Sequence, residues 1–218
     1  GATFPAPLYM KWAEEARKDL GFDINYQSIG SGAGITQINN RTVDFGASDA
    51  PLDPVKLTDG KLIQVPMVMG TLVVIYNVPG VKTGELKLTS DIVADIYMGK
   101  ITKWNDERIV KINQAIKLPN LAIAPVYRGD GSGTTWIFTQ YLAKTNPTWA
   151  STVGSSTSVK WPAGNGARGN EGVSATVAKI PGGFGYTELS YAVQNRISMA
   201  QLQNADGVFV QPTDKASL

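Results

Sequence analysis

Residues Arg128 to Thr135 read Arg-Gly-Asp-Gly-Ser-Gly-Thr-Thr, between an apolar run from Leu121 to Tyr127 and a helical pattern from Thr134 to Lys144. A chain that passes from strand through glycines into a helix leaves its first helical N–H groups without intrahelical partners, all pointing out of one end. The glycines let the backbone come close to a guest and take positive φ. Ser132 and Thr134 add hydroxyls, and Arg128 adds a planar, permanently charged fork of donors. This chemistry suits a small oxyanion. The stretch is not a Walker A loop, because Gly133 is followed by Thr134 where that motif has lysine. It contains Arg-Gly-Asp, but three residues are a weak adhesion signal. The order Gly-Asp-Gly-Ser-Gly departs from the serine-protease signature, and a chain without histidine cannot build a Ser-His-Asp triad. The plain alternative is a capped turn ahead of a helix.

A second junction of the same kind lies upstream. Phe22 to Ile29 alternates apolar and polar through Phe22, Ile24 and Tyr26, which predicts a strand. Gly30-Ser31-Gly32-Ala33-Gly34 follows, with Ser31 as the natural cap, and a helix start covers Ile35 to Asn40. Before it, Pro5 opens a helix that carries Leu8, Trp12, Ala16 and Leu20 on one face and stops at Gly21. Thr3 and Phe4 therefore sit where that helix exposes bare N–H groups. Val43 to Pro51 reads as a short strand and turn, with Asp49 at the turn either as an ordinary Asx cap or as a group facing a ligand.

Further along, Leu62 to Val78 predicts two buried strands or one bent one, and Pro79-Gly80 punctuates it. A lobe boundary falls at 77–83, giving a first lobe over 1–78 and a second over 79–218. Thr89 or Ser90 caps a helix over Asp91 to Met98, a short helix covers Asn105 to Ile112, and Leu121 to Tyr127 is a strand. Trp149 to Trp161 reads as loop. A third glycine-rich loop, Gly164 to Asn170, enters a helix over Glu171 to Ile180; it has the chemistry to hold an anion, with Arg168 nearby, but reads first as a flexible mouth or packing loop. Gly185 to Ala192 is a candidate strand. The five tryptophans read as core or rim residues.

Composition narrows the classes of function. At 218 residues and 43% apolar, the chain can bury a real core. A net charge of +2 with no basic run gives no footprint for nucleic acid. With neither cysteine nor histidine, disulfides and thiolate chemistry are excluded and only oxygen ligands remain for a metal. No apolar run approaches a membrane span.

Taken together, Ala2-Thr3-Phe4-Pro5-Ala6-Pro7, Ile29-Gly30-Ser31-Gly32, Val43 through Pro51 and Arg128 through Thr135 resemble the periplasmic phosphate-binding proteins of bacterial ABC transporters. Ile96 to Ile101, Trp104-Asn105 and Val159 to Pro162 extend the likeness along the chain. The resemblance implies a two-lobed α/β fold, type II-like, that closes on a dehydrated phosphate in the interlobe cleft. It places ligand contacts on Thr3, Phe4, Ser31, Asp49, Arg128, Ser132, Gly133 and Thr134, with Asp130 orienting Arg128. It also implies inorganic phosphate and ABC permease subunits as partners, no cofactor, no metal, no catalytic residue, and a monomer that is periplasmic or lipid-anchored. The family's chain runs past the equivalent of Leu218 and starts before Gly1, so the first lobe is expected to be incomplete and no signal peptide is present in this sequence.

Three helix N-termini, at Thr3-Phe4, Ser31 and Ser132-Thr134, would then converge, each worth about +0.5 charge and together roughly +1.5. Asp49 is the odd member. A carboxylate beside an anion repels it unless the anion brings a proton to donate, which phosphate does near neutral pH and sulfate does not. A receptor for sulfate or molybdate is the alternative this argues against. A phosphomonoesterase lacks histidine, cysteine and a metal cluster to work with.

Overall fold

The computed structural model describes residues 1–213 and is a mixed α/β structure organised around the strand Leu72–Tyr76, β1. Ahead of β1 come only helices among the described residues: α1 (Ala6–Leu20), α2 (Ser31–Asn39) and α3 (Pro54–Asp59). After it follow β2 (Lys87–Leu88), α4 (Ser90–Tyr97), α5 (Glu107–Ile112), β3 (Ala124–Arg128), α6 (Gly133–Thr145), α7 (Pro147–Thr152), β4 (Asn165–Ala167), α8 (Gly169–Lys179), β5 (Gly183–Glu188), α9 (Leu189–Gln194), β6 (Ser198–Met199), β7 (Gln201–Gln203) and β8 (Phe209–Val210). The last five residues of the lobe expected over 79–218 lie outside the described residues.

The main sheet has the order β4-β3-β5-β1-β6. β3 runs parallel to β4 and β5, while β1 runs antiparallel to β5 and β6. Its strands are covered on both faces, which is why β1 reads as the unbroken apolar run Leu-Val-Val-Ile-Tyr. Strand alternation sends Val74 and Tyr76 into a core shared with α4 and α6, through Ile96, Tyr97, Phe138 and Leu142. Val73 and Ile75 enter a second core with Val173 and Val177 of α8 and Leu189 and Ala192 of α9. The first core is aromatic. Phe138 stacks on Tyr186 at 4.2 Å between ring centroids, and Tyr97 meets Phe138 and Phe184 at 5.5 Å each. The buried polar tips find partners: Tyr97 donates to Val126 O at 2.9 Å and Trp104 Nε1 to Gly182 O at 3.1 Å. Trp104 and Trp149 are buried, whereas Trp161 lies half-buried on Tyr127.

Several local expectations take a different form. Phe22–Ile29, Val43–Asp49 and Leu62–Met69 do not form strands. The alternation at 22–29 and the apolar run at 62–69 are present, but no neighbouring strand among the described residues takes up their backbone groups, and a strand exists only as part of a ladder. The face of α1 carrying Leu8, Trp12 and Leu20 is likewise exposed. Ser31 is the first residue of α2 rather than its cap; Gly30 holds the cap position at φ +94°, and the Ser31 hydroxyl is engaged elsewhere. Two short helices fall in stretches read as loop or left unassigned. Asn146-Pro147 starts α7 and Asp53-Pro54 starts α3, each a capping side chain followed by proline at the first helical position. Within Gly185–Ala192, the strand ends at Glu188, whose side chain accepts from Ser190 N and starts α9.

Candidate functional site

The two glycine loops meet backbone to backbone. Gly32 N donates to Gly131 O at 2.9 Å, and a Cβ on Gly32 would lie 3.0 Å from the Gly131 Cα. At Gly30 a Cβ would strike Asp130 Oδ2 at 2.6 Å, so both the positive φ and the close approach demand glycine. Gly133 is equally constrained: a Cβ there would sit 2.5 Å from that of Asp49 and 2.6 Å from Ser31 Oγ. The N-termini of α2 and α6 therefore face each other across a gap that only glycine permits. The N-terminal segment lies alongside, with Ile29 N and Gly30 N donating to Gly1 O and Ala2 N donating to Ala47 O.

Arg128, at the end of β3, is buried. Its Nε donates to Asp130 Oδ1 at 2.8 Å and its Nη2 to Asp130 Oδ2 at 2.6 Å, a two-point clamp that sets the plane of the guanidinium. Burial pulls the Asp130 carboxyl upward, but the Arg128 guanidinium and the Gly169 amide, at 3.1 Å from Oδ1, together hold it below the ordinary carboxylate value. Nη1 reaches Thr134 Oγ1 at 3.4 Å, which leaves one N–H on each terminal nitrogen without a partner among the described residues. The backbone of Arg128 is fixed by its N–H to Tyr186 Oη, 3.1 Å, and that phenol is kept neutral by burial, which pushes it up to about 12.

Ser31 Oγ links the loops. It accepts from Gly133 N at 3.1 Å and Asp49 N at 3.2 Å, which directs its proton toward Asp49 Oδ2 at 3.4 Å. Burial pushes the Asp49 carboxyl up to about 6, against the pull of Arg128 and the Ser31 hydroxyl, and Glu188 adds to the rise. Ser132 caps α6 through Thr135 N at 3.0 Å. Thr3 and Thr134 are buried and joined by Asn170, whose Nδ2 lies 2.6 Å from Thr3 Oγ1 and 3.2 Å from Thr134 Oγ1.

Thr3, Ser31, Asp49, Arg128, Asp130, Gly133 and Thr134 thus belong to one connected cluster, drawn from segments up to 131 positions apart in the chain (134 minus 3). Ser132 lies at the same helix end, and Phe4 follows Thr3 with its ring against Gly70. α8 adds a fourth helix N-terminus, from the glycine loop whose sequence reads first as a mouth or packing loop and second as an anion loop. Its first amides are used inside the cluster, Gly169 N on Asp130 and Asn170 N on Thr3 Oγ1 at 3.1 Å. The glycine-asparagine step at 169–170, with Gly169 at φ +72°, is the sequence signal that could have flagged it. Nothing in the sequence marks Thr187, Glu188 or Tyr191, which stand behind Asn170 and Thr3. Among the described residues no group of acidic side chains is placed to hold a metal, and no helix is long and apolar enough to cross a membrane.

Comparison with known proteins agrees with this architecture. The phosphate-binding protein PstS of Pasteurella multocida is 51% identical over 213 residues, covering 98% of this chain and 62% of that relative. The protein of the same name from Haemophilus influenzae is 47% identical over 216 residues, covering 99% and 65%. The chain therefore spans about three-fifths of the length of these curated relatives. Among solved structures, a high-affinity periplasmic phosphate-binding protein bound with phosphate superposes with a TM-score of 0.74 at 26% identity, over 99% of this chain and 64% of that one. A putative phosphate ABC transporter substrate-binding protein from Clostridium perfringens gives 0.72 at 24% identity, over 97% and 76%. The family model described as a PBP superfamily domain matches residues 1–218, from the buried Thr3 through both glycine loops to the end of the sequence, and the chain belongs to that superfamily.

Proposed function

We propose that this chain binds inorganic phosphate and serves an ABC-type permease as its solute receptor outside the cytoplasmic membrane, as a monomer and without catalysing a reaction. The observation that carries the reading is Asp49, a carboxylate raised to about 6, set among helix N-termini and a buried arginine. The cluster's other carboxylate, Asp130, is taken up by Arg128 and the Gly169 amide, which leaves Asp49 as the acceptor set against the donors of the helix ends. The ligand that satisfies both demands is a tetrahedral anion with several ionised oxygens and one proton. Phosphate carries that proton near neutral pH, and sulfate and molybdate do not.

The contacts we assign are the backbone N–H groups at Thr3-Phe4, Ser31 and Thr134, the hydroxyls of Thr3, Ser132 and Thr134, the two unengaged N–H groups of Arg128, and Asp49 as proton acceptor; the Ser31 hydroxyl and the Gly133 N–H, which bond Asp49 and Ser31 Oγ without ligand, exchange those partners for the anion. Asp130 holds Arg128 in plane. Stripping water from an anion is costly, so each oxygen needs a donor in its place. A site built from amide dipoles and one guanidinium supplies them without a metal. Because β1 is built into the sheet of the later segments, the segments before Leu72 form one jaw and the hinge belongs at the entry to β1 rather than at 77–83.

Calorimetric titration with inorganic phosphate tests the reading. Wild type binds, and Arg128→Ala weakens binding by ~1.5–3 kcal/mol, the usual loss for a charge-assisted contact. Near-native affinity in that variant would show that the pocket is misassigned.

A further inference from the structure

Asn170 is fully buried, at 0% exposure, and every polar atom of its side chain is engaged. The orientation of its amide is set by Glu188 N, which can only donate and lies 3.3 Å from Oδ1; Thr187 Oγ1 lies 3.1 Å from the same atom. Nδ2 is therefore turned toward the two threonines. Thr3 Oγ1 receives both Asn170 N and Asn170 Nδ2. Thr134 Oγ1 receives Asn170 Nδ2 and Arg128 Nη1, two groups that cannot accept. A hydroxyl has two acceptor positions and one proton. With both acceptor positions filled, each threonine is left with its proton alone to offer, and neither proton has an acceptor among the described residues.

We propose that Asn170 is a positioning residue that locks the hydroxyls of Thr3 and Thr134 as donors into the anion site, so that this wall of the pocket accepts no proton from the ligand. The role deepens the phosphate reading and rests on it. It forces the ligand's single proton to the opposite side, where Asp49 waits, and so fixes the orientation in which a monoprotonated anion sits. A freely rotating hydroxyl would tolerate a protonated oxygen at either wall. Asn170 lies behind the hydroxyls, and we assign it no ligand contact.

The test compares Asn170→Ala, Asn170→Asp, Thr187→Val and Thr134→Val in the intact protein, titrated with inorganic phosphate at pH 8, with melting temperature recorded without phosphate. Asn170→Ala is expected to weaken binding about tenfold, a loss typical of one hydrogen-bonded network. Asn170→Asp keeps the shape but replaces the donor by an acceptor that captures the hydroxyl protons, and is expected to be weaker still. A packing role predicts the reverse order, because the isosteric variant would then be the milder. In the Thr134→Val background, Asn170→Ala should cost less than it does alone. Thr187→Val, which removes one anchor of the amide, should weaken binding about threefold, and it decides the matter if the Asn170 variants do not fold. Wild-type affinity in Asn170→Ala or, failing that, in Thr187→Val overturns the role, as does full multiplication of the Asn170→Ala and Thr134→Val effects. Wild-type protein that binds no phosphate overturns the phosphate reading and this role with it.

Discussion

Val73 and Ile63 are aliphatic residues ten positions apart, in apolar runs on either side of Gly70, and they end in opposite environments. Val73 is 3% exposed, in a strand hydrogen-bonded to β5 and β6. Ile63 is 92% exposed and Met69 87%, in extended chain with no ladder. The same contrast separates residues 72–204, where the sheet is covered on both faces, from residues 1–71, where Phe22, Phe45, Val65 and the apolar face of α1 stand open. Hydrophobic patterning says which face of a segment is to be covered, but whether a ladder forms depends on a second segment at the right spacing. The cluster around Arg128 is the exception that joins the two regions. Thr3 and Ser31 come from the open region and accept from backbone amides of the closed one, and Asp49 is tied to them through Ser31.

The contrast is broken most forcefully in the aromatic core. Trp104→Ala is expected to destabilise the protein by ~3–5 kcal/mol, the range for emptying a buried tryptophan site. Chemical denaturation that gives less than about 1 kcal/mol would mean the core of residues 72–204 is not packed as described. The next effect reports on the junction. Asp49 is raised from the ordinary carboxylate value to about 6 in the folded, ligand-free protein, so between those two values the native state holds a proton that the unfolded chain has released, and above about 6 both are ionised. Stability from this group is present below the unfolded value and is lost as pH rises through about 6, by roughly 2–3 kcal/mol at 1.36 kcal/mol per unit. Asp49→Asn should remove that part of the slope. An unchanged slope would mean that Asp49 is solvated and that the open region is not held against the Arg128 loop. The smallest effect belongs to the open region itself. Ile63→Ser should shift stability by no more than ~0.5 kcal/mol, as for other exposed positions, and a larger loss by the same denaturation measurement would mean that Ile63 is covered in solution.

How much was legible in the sequence follows the same division. β1, β3, α4, α6 and α8 were readable to within a few residues, because their caps and periodicities are local: Thr89 accepting from Ile92 N, Ser132 from Thr135 N, Gly21 in the left-handed region after α1. The strands expected at 22–29 and 62–69 do not form, because neither alternation nor an apolar run supplies a partner. In the cluster, the glycines and Arg128 carried their own signal, since close approach and a fixed fork of donors restrict residue type, whereas the pairing of Asp130 with Arg128 came from the family resemblance. Asn170 did not, because its importance comes from four groups at positions 3, 134, 187 and 188 that meet it only in the fold. The Ser31 hydroxyl was read as a local cap for a similar reason: its partners, Asp49 and Gly133, are distant in sequence.

The central claim of the phosphate reading is that Asp49, the carboxylate not clamped by Arg128, makes this donor-rich pocket a detector of a protonated anion. Parallel titration of wild type and Asp49→Asn with phosphate and with sulfate at pH 8 examines it directly. The account predicts that wild type binds phosphate and rejects sulfate, and that Asp49→Asn narrows the gap at least about tenfold by admitting sulfate, an amide being able to donate where the carboxylate cannot. Equal discrimination in the two proteins would contradict it.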